Sequence, residues 1–349
     1  MPLAVVISFL VVALLGKPFI EFIQKINGGQ NVSKWLDSHQ TKQGTPTMGG
    51  LLMIFGVLVS FAIFQWMVQI DVWPHRDLSS QLGYSIHFQP LRFLTGNDTE
   101  WALLGIILSF GFLGFLDDYI LPRLGMKRGL GWKWKILLQF AIAVPFIIFN
   151  SKLQHGMPYS FYALDPTVLY SIQLFLAAMI IVWWVNALNL TDGLDGLAAG
   201  SSAIALSALA ILAASDHSPV WLISSKWVIW SLVGSCLGFL WWNAPKAKMF
   251  MGDTGSMALG AAFAYFALQT NLAVQAFLVG GLFAIEALSV MIQLASVKLR
   301  GKRIFKSSPI HHHFEQLDWP ESTIVIRFWL IALFFAGLGL WLFGELAWR

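Results

Sequence analysis

One cysteine, Cys236, in 349 residues removes any intrachain disulfide and any thiolate-rich metal site. Charge is also scarce: 11% of residues are Asp, Glu, Lys or Arg, less than half the roughly 25% of an ordinary soluble domain. Apolar side chains take their place, 57% of the sequence with 17 Trp and 28 Phe. That excludes a conventional soluble enzyme and points to an all-α, polytopic integral membrane protein, with aromatic residues available for both interfaces. No block of soluble composition interrupts the chain, so residues 1–349 read as one integral membrane domain. A net charge of +4 would suggest nucleic acid in a soluble protein. Here no nucleic acid is expected, and the positive charge marks a cytoplasmic face near anionic headgroups and phosphates. The opening run MPLAVVISFLVVALLG has no basic residue ahead of it and reads as a span rather than a signal peptide.

Apolar stretches of about 20 residues predict ten transmembrane helices, at 3–23, 48–68, 99–117, 134–150, 168–190, 195–214, 226–243, 255–273, 276–298 and 324–345. The boundary between the eighth and ninth is marked only by QTNLAVQ. Basic residues divide unevenly between the two sides these spans create. One side holds Lys25, Lys34, Lys42, Arg123, Lys127, Arg128, Lys133, Lys135, Lys246, Lys248, Lys298, Arg300, Lys302, Arg303 and Lys306. The other has little beyond Arg76, Arg92, Lys152, Lys226 and Arg349. The positive-inside rule puts the first group in the cytoplasm and both termini outside.

Five polar motifs fall on the predicted cytoplasmic side: TKQGTPTMGG (41–50), FLGFLDDYI (112–120), NALNLTDGLDG (186–196), WWNAPKAKMFMGDTGSMALG (241–260) and GKRIFKSSPIHHHFE (301–315). Carboxylates are costly in a bilayer and mark function or a bonded partner. Asp117 and Asp118 are consecutive, so on a regular helix they diverge by about 100° and would not serve one ion equally. Asp192 and Asp195, in a Gly-containing turn, read either as caps of the sixth helix or as ligand contacts. Asp253 opens an apolar helix, where a carboxylate gains from the helix dipole and glycines leave room for phosphate and a hard cation. His311, His312 and His313 are adjacent rather than four apart, which suits phosphate or nucleotide contacts better than zinc. Glu286, Ser289 and Gln293 share one face of the ninth span, either bonding within the bundle or lining a cleft. Carboxylates with lysines and no thiols suit magnesium and phosphates.

In this order and spacing, GTPTMGG, the LDD pair, NLTDGLDG, FMGDTGS and PIHHHFE resemble the phospho-N-acetylmuramoyl-pentapeptide transferase family of polyprenyl-phosphate N-acetylhexosamine-1-phosphate transferases. The resemblance runs from about residue 30 to the C-terminus. It implies transfer of phospho-MurNAc-pentapeptide from UDP-MurNAc-pentapeptide to undecaprenyl phosphate, giving lipid I and UMP for peptidoglycan. It also implies Mg2+, a cleft facing the cytoplasm from the bacterial inner membrane, surrounding membrane lipids and a homodimer. By motif, Asp253 is similar to the metal ligand, and Asp117, Asp118 and Lys133 to the catalytic group, with Asp117 as base. Lys42 and Thr47 resemble phosphate or substrate contacts. Asn189, Asp192, Asp195, Asn243, Phe250, Gln293, His311, His312 and His313 complete the implied substrate-binding set. Lys246 and Lys248 depart from the family pattern ahead of FMGD, and the 71–100 segment is long.

Two other readings compete. A sister enzyme would use UDP-GlcNAc, and the histidine triplet argues against it. A transporter of an anionic or lipid-linked compound would show inverted repeats with broken helices; none is visible, and the polar motifs gather on one side. Direct attack by the lipid phosphate is expected over a covalent phosphosugar-enzyme, since phosphoryl transfer relies on positioning and electrostatics.

Overall fold

A computed structural model describes residues 1–27, 44–70, 99–124, 129–149, 165–213 and 220–347. All regular structure among the described residues is helical, as a chain in hydrocarbon requires, because a helix satisfies its backbone groups internally. The helices are α1 (Pro2–Asn27), α2 (Gly49–Gln69), α3 (Thr99–Phe115), α4 (Trp132–Phe149), α5 (Pro166–Thr191), α6 (Leu197–Leu212) and α7 (Val220–Asn243). After them come α8 (Gly252–Gln269), α9 (Ala273–Val279), α10 (Gly281–Arg300), α11 (Ile310–Glu315) and α12 (Glu321–Ala347). Local chemistry sets some of the ends. Pro166 occupies the first turn of α5, and the Asp165 side chain accepts from the Thr167 N–H at 2.8 Å, the cap expected of Asp before a helix.

Nine of the ten expected spans each overlap one long helix and the remaining one overlaps two, and they are not equal. Among the described residues, seven helices are long and apolar enough to cross a membrane: α1, α2, α3 with its continuation to Arg123, α5, α7, α10 and α12. The other three are shorter or less apolar: α4 and α8 with 18 residues each and α6 with 16. The weakly marked eighth boundary shifts as well. The short α9 precedes a break at Gly280, so the expected span 276–298 straddles two helices.

Helix α8 is the axis of the bundle, buried along its length from Thr254 to Ala267. Its sequence, GDTGSMALGAAFAYFALQ, is rich in small residues, which let neighbouring backbones approach where lipid supplies no hydrophobic drive between helices. Helices α2, α3 and α5 pack around it. Gly50 on α2 lies against Gly255 and Gly114 on α3 against Asp253, contacts so close that a Cβ at either glycine would strike α8 backbone. Helix α7 packs on α1, α2 and α6, and α12 covers α6 and α9. The ends of α3, α5 and α7 and the starts of α2, α4, α6 and α8 therefore lie together at one end of the bundle. Four of the five polar motifs are at those ends.

Candidate functional site: an acidic cluster at the helix ends

At its C-terminal end α3 widens into one π-helical turn, Leu116–Ile120, before resuming as Leu121–Arg123. Such turns recur at functional sites because they redirect side chains. Both acids of the pair lie in it and separate as expected. Asp117 accepts a short hydrogen bond from the Leu130 N–H and forms an ion pair with Lys135 Nζ at 2.5 Å. Asp118 turns to α8, where its Oδ2 accepts from the Thr254 N–H at 3.1 Å and the Thr254 hydroxyl at 3.0 Å. It thus caps the positive end of the central helix from outside.

Lys135 is the centre of the cluster. Its ammonium also lies 2.7 Å from Asp253 Oδ2, while Asp253 Oδ1 accepts from Asn189 Nδ2 at 2.8 Å. Asn189 Nδ2 also donates to Ser256 Oγ at 2.9 Å. One turn further along both helices, Asn186 Nδ2 donates to Gln139 Oε1 at 2.7 Å, locking α4 against α5. The Asp253 side chain remains a quarter exposed and that of Lys135 a fifth, so the pair can be reached from outside. Asp192 follows α5 directly; burial, then the charges of Asp253 and Asp118, push its carboxyl up to about 8. The left-handed Gly252 (φ 73°) brings Thr47 beside this group, since a Cβ there would stand 2.7 Å from Thr47 Oγ1. Backbone bonds from Gly49 and Gly50 to the carbonyls of Phe250 and Met251, at 2.8 and 3.0 Å, tie the GTPTMGG and FMGD segments together.

The other expected residues divide into cleft and framework. Lys133 points away: it is exposed, its ammonium 5.6 Å from the Trp132 ring centroid. Two residues of helix are about 200° of rotation, so only Lys135 faces the acids. Lys42 lies outside the described residues. Asp195 accepts from the Ala247 N–H at 2.9 Å, and Asn243 bridges the Gly196 N–H and the Met249 carbonyl at 2.9 and 2.8 Å. Gln293 holds the return segment after α10, accepting from the Ile304 and Phe305 N–H groups at 3.0 Å and donating to Phe305 O at 2.9 Å. All three are buried and bind backbone groups, and the charge of Asp195 also acts on Asp192. Phe250 is half-buried at the entrance to α8. The histidines diverge: His311 is buried beside Glu286, His312 Nδ1 pairs with Glu315 Oε2 at 2.5 Å, and His313 Nδ1 accepts from the Lys306 N–H at 3.1 Å.

Sequence reading passed over Lys135, Gln139 and Asn186 as site residues. Their signal was present: Lys135 and Gln139 stand four apart on α4, and Asn186 and Asn189 three apart on α5, polar stripes on apolar helices.

The groups that meet the Lys135 ammonium are carboxylate oxygens of Asp117 and Asp253, and the Asn189 amide nitrogen donates to Asp253. Among the described residues no three acidic or histidine side chains converge to cage a metal ion. Carboxylate oxygens such as those of Asp117 and Asp253 are the ligand type magnesium takes, one or two at a time, with substrate phosphate and water completing its shell. The donor chemistry therefore fits that ion.

Residues 100–271 match the glycosyl transferase family 4 model, and residues 42–54 match signature 1 of phospho-N-acetylmuramoyl-pentapeptide-transferase. Proteins of that name are similar along nearly their whole length. The one from Oceanobacillus iheyensis is 39% identical over 97% of each chain. That from Halalkalibacterium halodurans is 40% identical over 97% of this chain and 96% of its own. The one from Frankia alni is 38% identical over 96% of this chain and 94% of its own. The chain belongs to the phospho-N-acetylmuramoyl-pentapeptide-transferase family.

Proposed function

We propose that the protein, a single membrane domain over residues 1–349, transfers phospho-MurNAc-pentapeptide from UDP-MurNAc-pentapeptide to undecaprenyl phosphate. The products are lipid I, a precursor of peptidoglycan, and UMP. The observation that carries the placement of the reaction is Lys135 held between Asp117 and Asp253, 2.5 and 2.7 Å away, with Asn189 on the second oxygen of Asp253. The difficulty of the reaction is to bring two anionic phosphates together. A cation fixed in place supplies charge without reorganising, and phosphoryl transfer depends mainly on such positioning.

In this reading Lys135 faces the donor diphosphate and Asp117 orients the acceptor phosphate, accepting its proton when it carries one. The acceptor attacks the β-phosphorus directly and UMP departs. Asp118, committed to the start of α8, keeps Asp253 and Thr254 in register. Magnesium, held through Asp253 and a neighbouring carboxylate, would neutralise diphosphate charge as a Lewis acid. Lys42, Thr47, Asn189, Asp192, Phe250, His312 and His313 form the donor's surroundings, while Asp195, Asn243, Gln293 and His311 hold the segments that carry them. The helix ends bearing the cluster face the cytoplasm of the bacterial inner membrane, both termini lie outside, and the protein works as a homodimer among membrane lipids.

The test is purified full-length protein in detergent with undecaprenyl phosphate and either UDP-MurNAc-pentapeptide or UDP-GlcNAc. UMP released from the first donor alone, and stopped by chelation, is the expected result. Release from UDP-GlcNAc alone would assign the sister reaction instead.

A further inference from the structure

Glu286 and His311 form a buried titratable pair that the reaction does not use. Both side chains are completely covered, and His311 Nδ1 lies 3.1 Å from Glu286 Oε2. The contact is close but off the hydrogen-bonding line, and neither carboxylate oxygen nor either ring nitrogen has a hydrogen-bond partner. Buried polar groups left this way are rare and are found as strain reservoirs or at functional positions. The far side of the ring meets the Asp192–Gly193 turn. The three atoms nearest a Cβ built at Gly193 are Nε2, Cε1 and Cδ2 of His311. The ring is therefore clamped between a carboxylate inside α10 and the turn that carries Asp192.

We propose that Glu286 is a positioning residue for the donor site, acting through His311 to fix the Asp192–Gly193 turn. The proposal rests on the reading of that turn as part of the donor's surroundings. Two elements make the clamp stiff. Helix α10 is tied to the returning chain by Gln293 and by Ser296, whose hydroxyl donates to Lys302 O at 2.8 Å. The turn is tied to α12, where Glu321 Oε1 accepts from the Asp195 N–H at 2.8 Å. Movement of the ring is then passed to the turn at Gly193, the backbone it lies against. Of the three adjacent histidines, His311 is the one buried too deeply to touch substrate, so its influence passes through contact with its neighbours.

The experiment uses full-length protein in detergent carrying Glu286→Gln, Gly193→Ala, His311→Ala, or Gly193→Ala with His311→Ala. Donor KM, acceptor KM, kcat and the calorimetric affinity for UMP are measured on each. Glu286→Gln and Gly193→Ala each raise donor KM and weaken UMP about tenfold, with kcat and acceptor KM within about twofold. In the His311→Ala background Gly193→Ala adds less than about twofold, because the ring it strikes is gone. The proposal is overturned if Glu286→Gln leaves donor KM and UMP affinity unchanged, or if Gly193→Ala costs as much without His311 as with it. Should Glu286→Gln not fold, the Gly193 and His311 variants decide alone, since they leave Glu286 in place. UMP affinity separates this inference from the assigned reaction. A wild type that binds UMP but makes no lipid product sinks the reaction, while the pattern of affinities still tests the clamp.

Discussion

Replacing Lys135 by methionine removes the ammonium that Asp117 and Asp253 share and keeps most of the side-chain volume. The consequences for activity and stability are separable. For activity, the variant loses a fixed cation beside the diphosphate. Removing one preorganised electrostatic contact of this kind costs about 10²–10³ in kcat, or about 2.7–4 kcal/mol of transition-state stabilisation. For stability, two carboxylates 2.5 and 2.7 Å from the missing ammonium are left facing each other. Breaking a fully buried pair costs about 3–5 kcal/mol. Lys135 is 19% exposed, so water screens part of that, and a loss of about 2–3 kcal/mol is expected. Lys133→Met is the control two positions away, on a side chain that lies over Trp132; its kcat should remain within about threefold of wild type. UMP release under saturating substrates gives kcat, and thermal unfolding in detergent gives the stability change. Near-normal kcat in Lys135→Met, or a larger loss in Lys133→Met, would refute the assignment of the site's cation.

Asp253→Asn should abolish nearly all turnover, because it removes both the partner of Lys135 and the proposed metal ligand; a coupled UMP assay with added magnesium reads this. Asp195→Asn should lower thermal stability by about 1–2 kcal/mol through the weakened bond to the Ala247 N–H, with donor KM changed less than in Asp192→Asn. Stability should also depend on pH through Asp192. In the folded protein its carboxyl holds a proton up to about 8, whereas in the unfolded chain it releases it near 3.9. The folded state binds more protons across that window, so stability falls as pH rises through it. In chelator, Asp192→Asn should flatten the profile of unfolding temperature between pH 5 and 8, and an unchanged slope would refute this.

The helices were largely legible because hydrophobic length carries through to structure: nine of the ten apolar runs overlap one long helix each, while 276–298, beside the boundary with the faintest polar mark, falls across two. Most of the acidic site was legible too, since few forces other than function or bonding place Asp117, Asp118, Asp192 and Asp253 in so apolar a chain. What sequence could not resolve was facing. In WKWK the two lysines are indistinguishable by composition, and only the packing of α4 against α5 and α3 turns Lys135 to the acids. The π turn at Leu116–Ile120 has no compositional signature, so the separate fates of Asp117 and Asp118 emerge only from the fold. Asp195, Asn243 and Gln293 are implied as substrate contacts by the family resemblance, and the backbone bonds each also makes depend on tertiary packing that the sequence does not display. The face shared by Glu286, Ser289 and Gln293 was visible as a helical period; its partner, His311, is 25 residues away from Glu286 in the chain, beyond what periodicity can report.

The most direct measurement is a structure of the Asp117→Asn variant bound to UDP-MurNAc-pentapeptide and magnesium. The donor diphosphate is expected within hydrogen-bonding reach of Lys135, with the metal on Asp253. A diphosphate seated on Lys133 or the 301–306 segment, with Lys135 still buried between its two neighbours, would contradict the account.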